Sequence, residues 1–238
     1  MHGNLEALDA VLADAAARGA TGVLCLGDLV GYGADPVACV DRLGERALAS
    51  VAGNHEWGVL GLMDLEWFNP VARAAALWTG RQLDPDQARY LGSLPLTATV
   101  DDATLVHASP RTPDEWDYLL SAEDGFAAFR AFDTRLCFVG HSHLPAVWSL
   151  GSAGPDFRAG RPPGEAPVAL DDGRRYLINV GSVGQPRDRD PRAAYALWDR
   201  EARQVSIRRV GYDHQRAAEK ILRAGLPAPL AHRLAHGV

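Results

Sequence analysis

Apolar positions recur at helical spacing between residues 4 and 18, where Leu5, Leu8, Leu12 and Ala15 share one face and Asn4 is placed to cap it. The apolar run Val23-Leu24-Cys25-Leu26 has no such period and reads as a buried strand ended by Gly27-Asp28. Asp35-Pro36 opens a second helix reaching to about Arg46. Residues 48–51 form another short strand, closed by Gly53-Asn54-His55. Helical segments fill most of residues 69–92, and residues 96–107 read as two strands about Asp101-Asp102, the second ending at His107. A helix around residues 121–132 leads into a strand over 136–139, stopped by Gly140-His141-Ser142-His143. The Gly- and Pro-rich stretch 149–167 predicts a surface loop. Strands follow at 176–180, 194–198 and 205–210, then a helical tail over 213–236 broken near Leu226-Pro227.

Strands and helices alternate early, and strands follow one another late. That order predicts a layered α/β body with two packed sheets. No internal repeat and no linker between cores is visible, so residues 1–238 are expected to form one domain. At 47% hydrophobic and 23% charged residues, the chain has ample material for a core. No apolar run approaches the roughly 18 residues that span a membrane, and no charged-then-apolar leader is seen. The net charge of −6 argues against a large nucleic-acid footprint but not against a small phosphorylated substrate, because bound divalent cations reverse the local field. Cys25, Cys39 and Cys137 have no metal-ligand spacing and read as buried reduced thiols, which places the protein in the cytoplasm. Nothing in the sequence decides for or against a homo-oligomer.

The chemistry lies in one repeated arrangement. Four times an apolar strand stops at a turn and presents a metal-competent side chain: Asp28, then Asn54 with His55, then His107, then His141 with His143. Sites in layered α/β proteins collect where strand carboxyl ends converge, so the pattern can bring a carboxylate, an amide and several imidazoles together. Each member alone is weak, since GD is often a turn and a lone histidine is usually structural. Their joint occurrence in one context is the signal.

The ordered segments HGN, GDLVGYG, GNHE, VHASP and GHSH resemble the signature of calcineurin-like metallophosphoesterases, DxH, GD, GNH[DE], H and GHxH. NVGSVGQPRD and the tail around Tyr212-Asp213 resemble a branch of small bacterial members, some likened to diadenosine tetraphosphatases. The resemblance runs over essentially the whole chain. It implies a four-layer α/β/β/α sandwich of two mixed sheets flanked by helices. It also implies two transition-metal ions, one held by His2, Asp28 and His143, the other by Asp28, Asn54, His107 and His141, with Asp28 bridging. Nitrogen and oxygen donors together suit Mn, Fe, Zn or Ni. By the same resemblance a metal-bridging hydroxide attacks a phosphomonoester or phosphodiester, and His55 stabilises the transition state or protonates the leaving oxygen.

The DxH aspartate falls two residues before His2, ahead of Met1, together with the strand that would carry it. The expectation is that Met1 is an internal methionine of a longer gene and that the sheet has an open strand position. The alternative is a short chain with one weakened metal site, which feeds a second functional reading: a non-catalytic scaffold on the same fold. His55, Asn54 and the two histidines of GHSH oppose that reading, and the acidic charge disfavours a nuclease. Arg187, in the PRDRDPR stretch, reads either as part of a solvated loop or as a phosphate ligand. Tyr32 reads as pocket lining or packing; Trp57, Trp67, Phe68 and Trp78 as core or lid; His214, His232 and His236 as surface residues.

Overall fold

The computed structural model describes residues 1–44, 46–159 and 166–238. Its elements in chain order are α1 (Leu5–Ala17), β1 (Val23–Cys25), α2 (Pro36–Gly44), β2 (Ala47–Ser50), α3 (Asn54–Leu60), α4 (Pro70–Gly80), α5 (Pro85–Gly92), β3 (Thr97–Val100), β4 (Ala103–Val106) and α6 (Ala122–Ala128). They continue with β5 (Leu136–Val139), β6 (Ala146–Gly151), β7 (Gly154–Ala159), β8 (Val168–Ala169), β9 (Arg174–Asn179), β10 (Ala193–Asp199), β11 (Gln204–Val210), α7 (His214–Arg223) and α8 (Ala228–His232). Single 3₁₀ turns lie at Leu65–Trp67 and Arg233–Ala235.

Six strands form one mixed sheet in the order β3-β4-β5-β9-β6-β7, parallel at β4–β5 and β5–β9 and antiparallel elsewhere. All four side chains of β5 are buried, so its sequence shows no alternation, as a strand covered on both faces requires. Facing this sheet is a second β layer in two pieces, the parallel pair β1–β2 and the antiparallel order β10-β11-β8. Leu105, Leu136, Phe138 and Ile178 of the large sheet pack against Val205 and Ile207 between the layers. Phe129 and Phe132, just beyond α6, lie with Cys137 and Trp148 on the outer face of the large sheet. Leu8 of α1 and Leu43 of α2 cover Cys25 on the other side. The layering is the expected α/β/β/α. Among the described residues no helix is long and apolar enough to cross a membrane.

The second layer is interrupted between β1 and β10. Each pairs on one side only, β1 with β2 and β10 with β11. A slot of about 550 Å³ lies between them, lined by Val23, Leu24, Ala196 and Trp198, with Leu105 and Phe138 also in its wall. This is the open strand position anticipated from sequence, and the slot ends at His2, Asp28, His107, His141 and His143.

Three expectations are corrected. Among the described residues of the loop expected over 149–167, most are strand: β6 and β7 form a hairpin turning at Ser152-Ala153, with Gly154 at φ +95. Pro155 is tolerated there because β7 is the edge of its sheet. Residues 160–165 of that stretch lie outside the described ones. The turn expected at Gly53-Asn54-His55 is instead the start of helix α3. Trp67 is not core, being 81% exposed. The cysteines are free and buried, as expected.

Candidate metal centre

Gly27 and Gly53 decide how closely the first two strand ends approach. Gly27 has φ +85, and a Cβ there would lie 2.5 Å from the main-chain nitrogen of Gly53. A Cβ on Gly53 would lie 2.2 Å from Asp28 Oδ1. Without side chains the loops after β1 and β2 touch, and the His55 N–H at the start of α3 donates to Asp28 Oδ1 at 3.0 Å. His107 follows β4 directly, and His141 and His143 follow β5. His2 is brought in by its main-chain N–H, which donates to the Asp28 carbonyl at 2.7 Å. His2, Asp28, His141 and His143 all have left-handed backbones, φ between 52 and 63. For non-glycine residues each such conformation costs about 1–2 kcal/mol. Strain of this kind persists where surrounding structure imposes it, often at functional sites.

The structure brings the expected ligands together around Asp28. Asp28 Oδ2 lies 3.5 Å from His2 Nε2 and 3.1 Å from His107 Nε2. His2 Nε2 faces His143 Nε2 at 2.9 Å, and His107 Nε2 faces His141 Nδ1 at 3.1 Å. Two donor sets result, His2/Asp28/His143 and Asp28/His107/His141, each with its ligand atoms within 4.8 Å of one another. Asn54 is the first residue of α3, and its Oδ1 is buried without a protein partner.

The outer nitrogens show that these donors fit cations. His143 Nδ1 lies 2.6 Å from the Gln185 carbonyl, His107 Nδ1 2.6 Å from that of Leu26, and His2 Nδ1 3.3 Å from that of Val30. A carbonyl only accepts, so each Nδ1 carries the proton and donates. Burial holds His2 and His143 well below the usual histidine range. A proton donated from Nδ1 to the carbonyl turns the Nε2 lone pair of each ring toward the other across 2.9 Å. A cation resolves that repulsion, and carbonyl-anchored histidines are the usual support of metal-binding imidazoles. At the other set, burial opposes charge on His107, but the Asp28 carboxylate outweighs it and raises the pKa. Burial likewise works against charge on Asp28, yet His107 and His55 hold its carboxyl well below the usual range.

The family model for a calcineurin-like phosphoesterase superfamily domain matches residues 1–203. The chain belongs to that superfamily. The chain is 40% identical to an uncharacterised protein of Methanocaldococcus jannaschii over 98% of this chain and 94% of the relative. A metallophosphoesterase structure from Sphaerobacter thermophilus is 42% identical and superimposes with a TM-score of 0.86, covering 100% of this chain and 96% of that one. A hypothetical protein of Pyrococcus horikoshii shares the fold at 19% identity, with a TM-score of 0.77 and coverage of 100% and 95%.

Around the candidate ligands, His55 is buried among Tyr32, His2 and Phe68, with ring centroids at 4.4, 4.9 and 4.9 Å. Burial pushes its pKa down to about 4, and its Nδ1 has no protein partner. Arg187 reaches inward, its Nη2 donating to Gln185 Oε1 at 2.9 Å and to Tyr32 Oη at 3.4 Å. Several functional candidates escaped the sequence reading. Glu56, wholly buried, receives the main-chain N–H groups of Asp28 and Gly53; its signal was the acidic residue closing GNHE. Trp116 stands edge-on to His107 at 6.0 Å, and Tyr118 stacks on His141 at 4.2 Å. Neither lies in a recognisable motif.

Proposed function

We propose that the protein is a metal-dependent phosphoesterase that hydrolyses a small phosphomonoester or phosphodiester. The observation that carries this reading is the 2.9 Å approach of His2 Nε2 and His143 Nε2, both rings anchored by carbonyls at Nδ1, beside a carboxylate shared with a second donor set. His2, Asp28 and His143 would hold one ion and Asp28, Asn54, His107 and His141 the other. Mn, Fe, Zn or Ni suits these nitrogen and oxygen donors. Two such ions supply positive charge that acidifies water near neutral pH and neutralises phosphoryl oxygens.

The chain's own residues do the rest. Asp28 fixes both donor sets through one carboxylate, so that one phosphoryl group can meet both. His55, neutral at its depressed pKa, directs its imidazole N–H toward the leaving oxygen and stabilises the charge that develops there with a hydrogen bond as the ester bond breaks. Arg187, bridged to the site through Tyr32, steadies the bound phosphate with its planar fork of donors. The three buried free thiols support a reducing, cytoplasmic setting.

The test is to load metal-stripped protein with Mn²⁺, Fe²⁺, Zn²⁺ or Ni²⁺ in turn. Metal content and hydrolysis of p-nitrophenyl phosphate and bis-p-nitrophenyl phosphate are then followed. Turnover that disappears in Asp28→Ala supports the reading. Full loading with no turnover by any metal would point instead to a scaffold.

A further inference from the structure

Gln185 faces two ways. Its carbonyl accepts the Nδ1–H of His143, and its side-chain Oε1 accepts from Arg187 Nη2 at 2.9 Å and from Arg233 Nη1 at 3.1 Å. One residue thus ties a candidate ligand to two guanidinium groups, one from the loop between β9 and β10 and one from the 3₁₀ turn in the tail. Gln185 is itself buried and locked by its main-chain N–H on Ser182 Oγ.

Two arginines drawn to one neutral amide oxygen are an unusual pair. Each carries a full charge and five donors; among the described residues, besides this amide oxygen, Arg187 meets only Tyr32 Oη at 3.4 Å and Arg233 only the main-chain oxygen of Val238, so much of each fork is left without an acceptor. Nearby carboxylates are committed elsewhere, Asp188 to Arg209 and Asp190 to Arg192. Among the described residues no aspartate or glutamate side chain pairs with Arg187 or Arg233. Arg187 Nε is buried with no acceptor. Arg233 is held below its ordinary pKa, first by burial and then by the charge of Arg187. Like charges kept together in a half-buried setting are costly unless an anion joins them.

Resting on the phosphoesterase reading above, we infer that Arg233, with Arg187, forms a subsite for a second phosphate, so that the substrate carries one phosphate beyond the one cleaved. The ester phosphate lies at the donor sets around Asp28. The second, uncleaved group sits at Gln185, where two planar guanidiniums match its oxygens. Substrates bearing a single phosphate would meet Arg187 alone and leave Arg233 unused.

The test compares two chromogenic diesters with the same leaving group, ethyl p-nitrophenyl phosphate and 2-phosphoethyl p-nitrophenyl phosphate, on metal-loaded protein. The wild type is expected to prefer the doubly phosphorylated ester by about tenfold or more in kcat/KM, the usual worth of hydrogen bonds between charged partners. Arg233→Gln should remove most of that preference through KM, and Arg233→Lys should keep part of it. A merely structural role would lower both esters in the same proportion, and that result, or a wild type without preference, overturns the subsite. If neither ester is turned over, the phosphodiester part of the reading above fails by itself. Calorimetry with ethylene glycol bisphosphate against ethyl phosphate then decides the subsite. Tighter bisphosphate binding that Arg233→Gln abolishes upholds it, and equal binding of the two overturns it.

Discussion

Glu56 accepts the main-chain N–H of Asp28 at 2.7 Å through Oε2, which also takes the Gly53 N–H at 2.7 Å, while Oε1 takes that of Leu29 at 2.8 Å. One buried side chain thereby fixes both loops that carry Asp28 and Asn54. Glu56→Gln replaces one acceptor oxygen with an NH₂ group and turns a donor against these N–H groups. An orphaned buried N–H costs ~1–3 kcal/mol. The variant should melt lower and bind metal more weakly. Thermal unfolding and metal content would show it; an unchanged melting temperature would mean that the loops are held by something else.

His55 is expected to act on the leaving group without holding metal. His55→Ala should lower kcat by about 10²-fold, the usual size of an acid–base contribution, with metal content unchanged. Loss of metal along with activity would make it a support of the site instead.

Because Asp28 is the only residue common to both donor sets, the ligand variants should separate cleanly. His143→Ala and His141→Ala should each weaken one ion, in different sets, and Asp28→Ala should weaken both. Metal analysis after dialysis checks this. Equal loss of both ions in every variant would show that the sets do not bind independently.

The metal-free protein should lose stability in acid. Burial lowers His55 to about 4 and, helped by the His107 charge, His141 to about 3. Both stay neutral in the folded state while the unfolded chain takes up protons below about pH 6.5. Each therefore removes about 1.4 kcal/mol per pH unit as pH falls from 6.5 toward 4. His107 has a raised pKa, so its contribution is full below pH 6.5 and is lost only above its raised value. It does not offset the acid loss. Denaturant midpoints between pH 7 and 4 test the slope, and a flat profile would mean that these imidazoles are protonated in the fold.

Much of this architecture was legible in the sequence. Helix α1 could be seen because its apolar stripe and its Asn4 cap, which accepts the Ala7 N–H, are both local. The ligand pattern could be seen because each side chain follows a strand without intervening loop. Helix α3 could not: it is seven residues long, broken by Gly58, and held by Glu56 reaching across to another loop. The β6–β7 hairpin was hidden by glycines and a proline that signal loops everywhere except at an edge. Arg233, Tyr118 and Trp116 meet the site through tertiary folding alone, and no spacing in the chain announces them.

The slot beside β1 and β10 has a consequence for hydrogen exchange. Ala194 turns its N–H away from β11 and gives it to the Ser182 carbonyl. Ala196 and Trp198, two and four residues further along the strand, turn the same way and meet the slot, where among the described residues no neighbouring strand stands. Amides in the middle of a layered protein normally open only with global unfolding. Here a line of fast-exchanging amides should run through the centre of the molecule, between two slowly exchanging flanks, and lead to the metal-competent end of the slot. The softest part of this fold by that measure is then its middle rather than its rim.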